Sequence, residues 1–344
     1  MTLSFVGLGL GSMEYLTRGA EEALLSSEKV YLDTYTGYLS SELEAFLRSQ
    51  LGERLIHADR KKLEDGLHEI VDEAREKEIV IATAGDPFIA TTHISILIEA
   101  VKKGVSVRLI HGVSIMSAAA SYSGLSAYKF GKAVTIPRDA SDQVLEGVYQ
   151  VIAQNQEHGL HSLVLLDTAD GGLGAGEAAE YLLRTEEKIG HGVFKNDRIV
   201  VVLANVGLRT AQKMCHTLGE LAMISLPPPP HVLIFPGDLN FVEREALKLI
   251  AYCDKEMIDE YLPISTSRQR ARRYIDKTSR VVERIGRESL DGVSREIIDL
   301  ALTYVYDSQS FLSSGRVEDS LIAISYAEGL LDCLRMLGRV SFEW

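Results

Sequence analysis

The chain is poor in cysteine, tryptophan and proline, and it has no long hydrophobic run. Its 344 residues include three cysteines, one tryptophan and eight prolines, four of which are consecutive at 227–230. The cysteines (Cys215, Cys253 and Cys333) form no C-x-x-C pair, which argues against a zinc site or a disulfide framework and favours a reducing cytoplasm. Because no run of about 18 apolar residues exists, we expect no membrane-spanning helix. The first residues also lack the basic segment of a signal peptide.

Basic residues are too few for a general nucleic-acid-binding protein. The formal net charge is −13, of which residues 1–243 carry −11 and residues 244–344 only −2. Affinity for phosphates needs clustered lysine and arginine, so an acidic body of this kind argues against that class of function.

Strand and helix patterns alternate through the first two thirds of the chain, which indicates an α/β fold with a largely parallel sheet. We expect one α/β subdomain over residues 1–115 and a second over 116–244. Single helices are predicted over 62–77 and over 210–221. After about residue 242 the strand signals stop, and helical patterns at roughly 243–261, 265–285, 294–312 and 316–337 predict a helical domain over 245–344.

Three predicted strands of the first subdomain end in glycine-rich or polar stops, at residues 7–11, 85–87 and 111–114. Ligands of parallel sheets bind at the carboxyl ends of strands, so these stops predict one common site. The spacing Gly7-x-Gly9-x-Gly11 is not the G-x-G-x-x-G of a dinucleotide fold, although Asp33 follows the second strand at a suitable distance. No Gly-Lys-Ser/Thr follows either, which excludes a phosphate-binding P-loop.

A larger set of motifs resembles the diphthine synthases, a branch of the tetrapyrrole-methylase-type class of S-adenosylmethionine (SAM) methyltransferases. The matching stretches are GLGL (7–10), YT (35–36), GDPFIATTH (85–93), IHGVSI (110–115), YKFG (128–131), LLD (165–167) and PPH (229–231). This resemblance covers about residues 1–245. Residues 290–340 resemble a small helical archaeal domain of unknown function.

The resemblance implies a cytoplasmic enzyme with two α/β subdomains that hold SAM in the cleft between them, in a homodimer. It also implies repeated methylation of the amino group of a modified histidine on elongation factor 2, towards diphthamide. Carried over by motif position, the SAM contacts fall on Leu10, Asp86, Ile89, Ser114, Ile115, Leu166, Val206 and His231. It assigns no metal ligand and no catalytic base.

Ordinary structural roles are open to the same residues. On pattern alone, the five apolar members of that set are core residues, Asp86 is a turn residue before Pro87, Ser114 caps a helix and His231 lies in a loop. His93 and His111 are interpreted as structural histidines. Asp33 and Asp167 end predicted strands and are candidates for the acceptor side of the site.

The chain departs from the diphthine synthase pattern at three stretches that bear on the acceptor, one of which is TADGG (168–172) after Asp167. Residues 14–17 read EYLT where the family has Asp-Ile-Thr, and Asn240 replaces the histidine of Gly-x-Leu-His. Two other functions therefore stay open, a precorrin-type tetrapyrrole C-methyltransferase and a non-catalytic regulatory protein that binds an adenine-containing ligand.

The predicted helix over 265–285 is strongly basic. Eight basic side chains lie within residues 268–287, namely Arg268, Arg270, Arg272, Arg273, Lys277, Arg280, Arg284 and Arg287. One hypothesis is a docking face for an acidic protein or for ribosomal RNA. The preferred interpretation is that these side chains pair with the acidic segment just before the helix (Asp254, Glu256, Asp259 and Glu260) and otherwise face solvent.

Overall fold

The computed structural model describes residues 1–261, 264–285, 291–314 and 316–344, which form two five-stranded sheets followed by helices. This confirms the predicted α/β fold with a helical C-terminal part. Within these ranges, no helix combines the length and apolar character needed to cross a membrane.

The first sheet is entirely parallel, with strand order β3-β2-β4-β1-β5. Its strands are β1 (Thr2–Gly7), β2 (Lys29–Asp33), β3 (Leu55–Ala58), β4 (Ile79–Thr83) and β5 (Ser106–Ile110). Its helices are α1 (Arg18–Ser26), α2 (Ser41–Leu51), α3 (Arg60–Glu64), α4 (Leu67–Glu73) and α5 (Ile94–Lys102). The short strand β3 was not predicted. The single helix predicted over 62–77 is wrong, because the chain breaks at Gly66, where a Cβ would lie 2.6 Å from the Lys62 carbonyl oxygen.

The second sheet is mixed, with order β6-β7-β10-β8-β9 and only the β6–β7 pair parallel. Its strands are β6 (Val134–Ile136), β7 (Ser162–Leu166), β8 (Ile199–Ala204), β9 (Gln212–Thr217) and β10 (His231–Phe235). The accompanying helices are α6 (Ile115–Ser123), α7 (Asp142–Glu157), α8 (Ala175–Ile189) and α9 (Leu218–Leu221). The helix predicted over 210–221 is therefore wrong over most of its length, since antiparallel pairing with β8 holds residues 212–217 as an edge strand.

The helical part divides into two groups by what they pack against. The helices α10 (Phe241–Leu249) and α11 (Lys255–Asp259) lie on the second sheet, where Leu247 and Ile258 join its core. The helices α12 (Ile264–Arg284), α13 (Gly292–Ser313) and α14 (Val317–Met336) share a separate apolar core. Residues 245–261, which the sequence assigned to the helical domain, thus pack with the second α/β subdomain.

Cys215 on β9 and Cys253 after α10 are joined by a disulfide bond. The expectation of no disulfide is wrong, because the 38-residue separation of the two cysteines is closed only when α10 folds back over the second sheet. Cys333 on α14 is a free, exposed thiol.

Candidate active site

Three strand ends of the first sheet meet with their backbones almost in contact. A Cβ on Gly7, at the end of β1, would lie 2.5 Å from the Gly112 nitrogen and 2.6 Å from the Gly85 carbonyl oxygen. Gly85 also exchanges both backbone hydrogen bonds with Gly9, at 3.2 and 2.6 Å. Because no side chain fits between these segments, the glycine stops bring the residues that follow β1, β4 and β5 to one place.

The second sheet supplies the opposite wall. Leu166 ends β7, and Val206 follows β8. His231 begins β10, which is antiparallel to both strands, so its first residue lies beside their last ones. The two subdomains touch at Gly207, where a Cβ would lie 2.2 Å from the Leu10 Cβ.

Between these walls lies a cleft with a cavity of about 260 Å³. This approaches the roughly 300–1,000 Å³ of small-molecule sites. All eight residues to which the sequence assigned SAM contacts line it: Leu10, Asp86, Ile89, Ser114, Ile115, Leu166, Val206 and His231. The structure therefore gathers residues from six separate stretches of the chain around one cavity.

Asp86 is the buried carboxylate of the first wall, with a relative exposure of 7%. Its Oδ1 accepts the Phe88 amide hydrogen at 3.0 Å, and its Oδ2 lies 2.8 Å from the Nδ1 of His111. The turn role open from the sequence is thus real, and it leaves the carboxylate facing the cleft as well. His111 pairs with Asp86 from the outside and does not itself line the cavity.

Ser114 likewise combines the two roles expected of it, as the cap of a helix and as a residue of the site. Its hydroxyl accepts the Met116 amide hydrogen at 3.2 Å and so caps α6, while the residue lines the cavity. The positive end of α6 is thereby presented to the cleft, where it favours an anionic group of a ligand.

His231 is 3% exposed, and burial lowers its pKa, an effect only partly offset by the Pro227 carbonyl. Its Nδ1 accepts the Ala175 amide hydrogen at 3.1 Å, which places the proton of the neutral ring on Nε2. That Nε2 is itself buried, and with Nδ1 occupied it is the nitrogen on which the Pro227 carbonyl acts.

Asp33 and Asp167 have different positions. Asp167 lines the cavity, whereas Asp33 is buried and does not line it. Burial alone would raise the pKa of Asp33, but hydrogen bonds from His93, Thr36 and the Tyr35 amide lower it. His93 bonds the Pro87 carbonyl through Nδ1 at 3.1 Å, so this pair fastens the segment after β2 to the segment after β4.

Further polar and aromatic lining residues received no sequence assignment as ligand contacts. Tyr35, Tyr38 and Arg60 line the mouth, with the Arg60 guanidinium 5.2 Å from the Tyr35 ring centre. The Thr168 hydroxyl donates to the Tyr35 carbonyl at 2.9 Å and links the two subdomains. The YT motif after β2 was the only signal for this side of the cleft, since Arg60 follows the strand that the sequence analysis missed.

Known proteins match this architecture along most of the chain. Residues 2–222 match the family of Tetrapyrrole (Corrin/Porphyrin) Methylases, and residues 273–340 match a protein family of unknown function (DUF357). The diphthine synthase of Methanosphaera stadtmanae is 36% identical over 263 residues, which are 76% of this chain and 100% of that protein. That of Sulfurisphaera tokodaii is 36% identical over 72% of this chain and 98% of its own length.

Solved structures of similar proteins superpose on this fold. A diphthine synthase crystal structure superposes with a TM-score of 0.67 at 32% identity, covering 76% of this chain and 100% of that one. A putative diphthine synthase from Entamoeba histolytica gives a TM-score of 0.64 at 27% identity, over 74% and 99% of the two chains. With the two-sheet fold and its cleft, these matches show that the chain belongs to the tetrapyrrole methylase family, among the diphthine synthases, and is a SAM-dependent methyltransferase.

Proposed function

We propose that this protein transfers methyl groups from SAM to the amino group of the modified histidine of elongation factor 2, in diphthamide biosynthesis. The observation that carries the proposal is the convergence of all eight motif-assigned residues on one cleft. It is supported by a diphthine synthase relative that the chain matches over that relative's whole length. The acceptor is a translation factor, so the reaction would take place in the cytoplasm.

The lining of the cleft suits SAM in its chemistry. Ile115, Leu166 and Val206 offer apolar surface to the adenine ring, and the carboxylates of Asp86 and Asp167 attract a ligand that carries positive charge. When bound, SAM supplies an electrophilic methyl group on a cationic sulfur. The α6 amino end at Ser114 remains for its polar groups.

Methyl transfer to an amine depends on position more than on acid–base groups, because the nucleophile is the neutral amine itself. The residues around Tyr35 and Arg60 are held across the mouth by Asp33, His93 and Thr168, and we assign them to the acceptor. The departure at Asn240 lies elsewhere: its side chain accepts the Glu243 amide hydrogen and caps α10. Loss of the family histidine there removes no residue from the cleft.

The test is transfer of labelled methyl from SAM to elongation factor 2. We expect label on the factor that carries the precursor-modified histidine and none on the unmodified factor. SAM, but not NAD, should raise the melting temperature, since only a ligand of the folded state does so. Tight SAM binding without transfer to this acceptor would overturn the proposal, and the absence of transfer to any acceptor would favour the regulatory function. Transfer to a precorrin instead would favour the tetrapyrrole C-methyltransferase.

We also propose a homodimer formed through the outer face of the first sheet. Ile94, Ile98 and Val101 form a stripe on α5 and are 52, 48 and 63% exposed, and Leu109 on the neighbouring edge strand β5 is 44% exposed. Apolar patches of this kind mark protein contacts. Light scattering after gel filtration should give twice the chain mass, and I98E/V101E should give one chain mass. The control variant M223E changes an exposed apolar residue elsewhere and should stay dimeric.

A further inference from the structure

We propose that one side of α12 binds the phosphate backbone of a structured RNA. This surface, the α12 stripe, consists of Arg270, Arg273, Arg280 and Arg284, all exposed. Successive helix positions turn by about 100°, so residues spaced by 3, 7 and 4 lie along one side. From Arg270 to Arg284 the helix advances 14 positions, or about 21 Å at 1.5 Å per residue.

The helix has three distinct sides. Ala271, Ile275 and Val282 are buried in the core shared with α13 and α14. Arg268 and Arg272 face α7, where the Arg268 Nε lies 3.2 Å from a Glu157 oxygen and an Arg272 nitrogen lies 4.0 Å from the same oxygen. The stripe lies on the remaining side, away from the buried one.

The interpretation preferred from the sequence has two parts. Its exposure to solvent holds for the four arginines of the stripe. Its pairing with the acidic segment before the helix is wrong for the described residues. Arg268 and Arg272 pair with Glu157, and Lys277 pairs with Glu328 at 2.8 Å. Asp259 of the acidic segment pairs with Lys248 at 2.6 Å instead. Arg287 lies outside the described residues. The four arginines of the stripe form no ion pair with any described residue, so their charge is available to a partner.

Two features favour RNA over an acidic protein. All four side chains are guanidinium groups, whose planar fork matches phosphate oxygens with two hydrogen bonds. Two aromatic rings lie near the stripe: the Arg273 guanidinium lies 5.9 Å from the ring centre of the half-buried Tyr274, and Trp344, 38% exposed, lies against Lys277 on the same helix. A partly exposed ring beside basic side chains suits backbone contact combined with base stacking.

The stripe is remote from the cleft, so this inference does not rest on the proposed function. α12 meets α7 at Glu157, the last residue of that helix, and β7 then runs back from Ser162 to reach the cleft at Leu166. Residues 1–243, which form the cleft and carry a net charge of −11, would repel RNA, so contact is confined to the stripe. Binding should therefore be modest and strongly dependent on salt.

The test is fluorescence anisotropy of a labelled RNA hairpin titrated with the full-length protein. With about four phosphate contacts, the slope of log affinity against log salt should be about −3, or roughly a 100-fold loss between about 50 and 200 mM salt. The variant R270Q/R273Q/R280Q/R284Q should lose at least tenfold in affinity. The control R18Q/R48Q/R75Q/R108Q removes the same charge from exposed arginines of the first subdomain and should bind as the wild type does.

A wild-type slope near zero, or equal losses in the two quadruple variants, would overturn the proposal without reference to methyl transfer. Competition by polyglutamate as effective as that by unlabelled RNA would identify an acidic protein surface as the partner instead. Circular dichroism checks that both variants are folded. Should the stripe variant unfold, the pairs R270Q/R273Q and R280Q/R284Q each remove half of the stripe and should each reduce the slope by about half.

Discussion

Asp86 and Glu243 are buried carboxylates paired with a histidine, yet their surroundings differ. Asp86 lines the cleft, and its partner His111 is exposed over 71% of the side chain. Glu243 lies at the far end of the second sheet, where its partner His161 is fully buried and Lys129 lies 2.6 Å away. Amide hydrogens of Ser126 and Asn240 also reach the Glu243 oxygens.

The two carboxylates use their charge differently. Every oxygen of Glu243 is occupied by partners within the protein, and His161 accepts the Gly237 amide hydrogen through its other nitrogen. Such a closed network fixes α10 against the second sheet and has nothing left for a ligand. Asp86 has the Phe88 amide and the exposed His111 as partners and also lines an open cavity, so its charge is directed towards what binds there.

The largest expected effect is on stability, from E243A. Removing this carboxylate leaves Lys129 and His161 without their partner, and breaking a buried pair costs about 3–5 kcal/mol. We expect the urea midpoint to fall accordingly while SAM affinity, measured by calorimetry, stays unchanged. The control E146A changes an exposed glutamate on α7 and should shift the midpoint little. Equal losses in the two variants would remove the distinction drawn for Glu243.

Acid should reveal the same network. Burial alone would raise the pKa of Glu243, but hydrogen bonds from Lys129, His161 and two amides lower it to about 2. A lowered carboxyl pKa stabilises the fold above the unfolded value of 4.5, and this gain is lost as the pH falls from 4.5 towards 2. The stability difference between wild type and E243A should therefore shrink over that range. A constant difference in urea titrations down to pH 3 would contradict it.

At the cleft, D86N should change binding and not stability. Asparagine keeps the hydrogen bond to the Phe88 amide but loses the charge, and a hydrogen bond to a charged group is worth about 1.5–3 kcal/mol. We expect the dissociation constant for SAM to rise by roughly 10- to 100-fold. The melting temperature should scarcely move, because the lost partner His111 is exposed. A large fall in stability with unchanged SAM affinity would reduce Asp86 to a turn residue.

The cleft end of the molecule was largely predictable from sequence because its signals are local. Parallel strands place their carboxyl ends at one edge, so the stops after β1, β4 and β5 had to meet. The far end depends on long-range pairing that leaves no local pattern. The side chains on both faces of β9 are mostly half-buried, so the strand shows no alternation of buried and exposed residues. Cys215 and Cys253 approach each other only because α10 folds back over the sheet. Lys129, His161 and Glu243 are likewise far apart in sequence.

The smallest expected effects test the contact between strand ends, with G7A against G147A. A Cβ on Gly7 meets backbone atoms at 2.5 and 2.6 Å, whereas one on Gly147, inside α7, meets nothing within 4 Å. G7A should therefore cost about 1–3 kcal/mol through overpacking. G147A should stabilise by about 0.5–1 kcal/mol, since alanine is the better helix former. G7A should also weaken SAM binding, because it separates the segments that carry Leu10 and Asp86. Equal urea midpoints of unfolding for G7A and G147A would show that the backbones after β1, β4 and β5 are not in contact. The shape of the cleft would then depend on side chains alone.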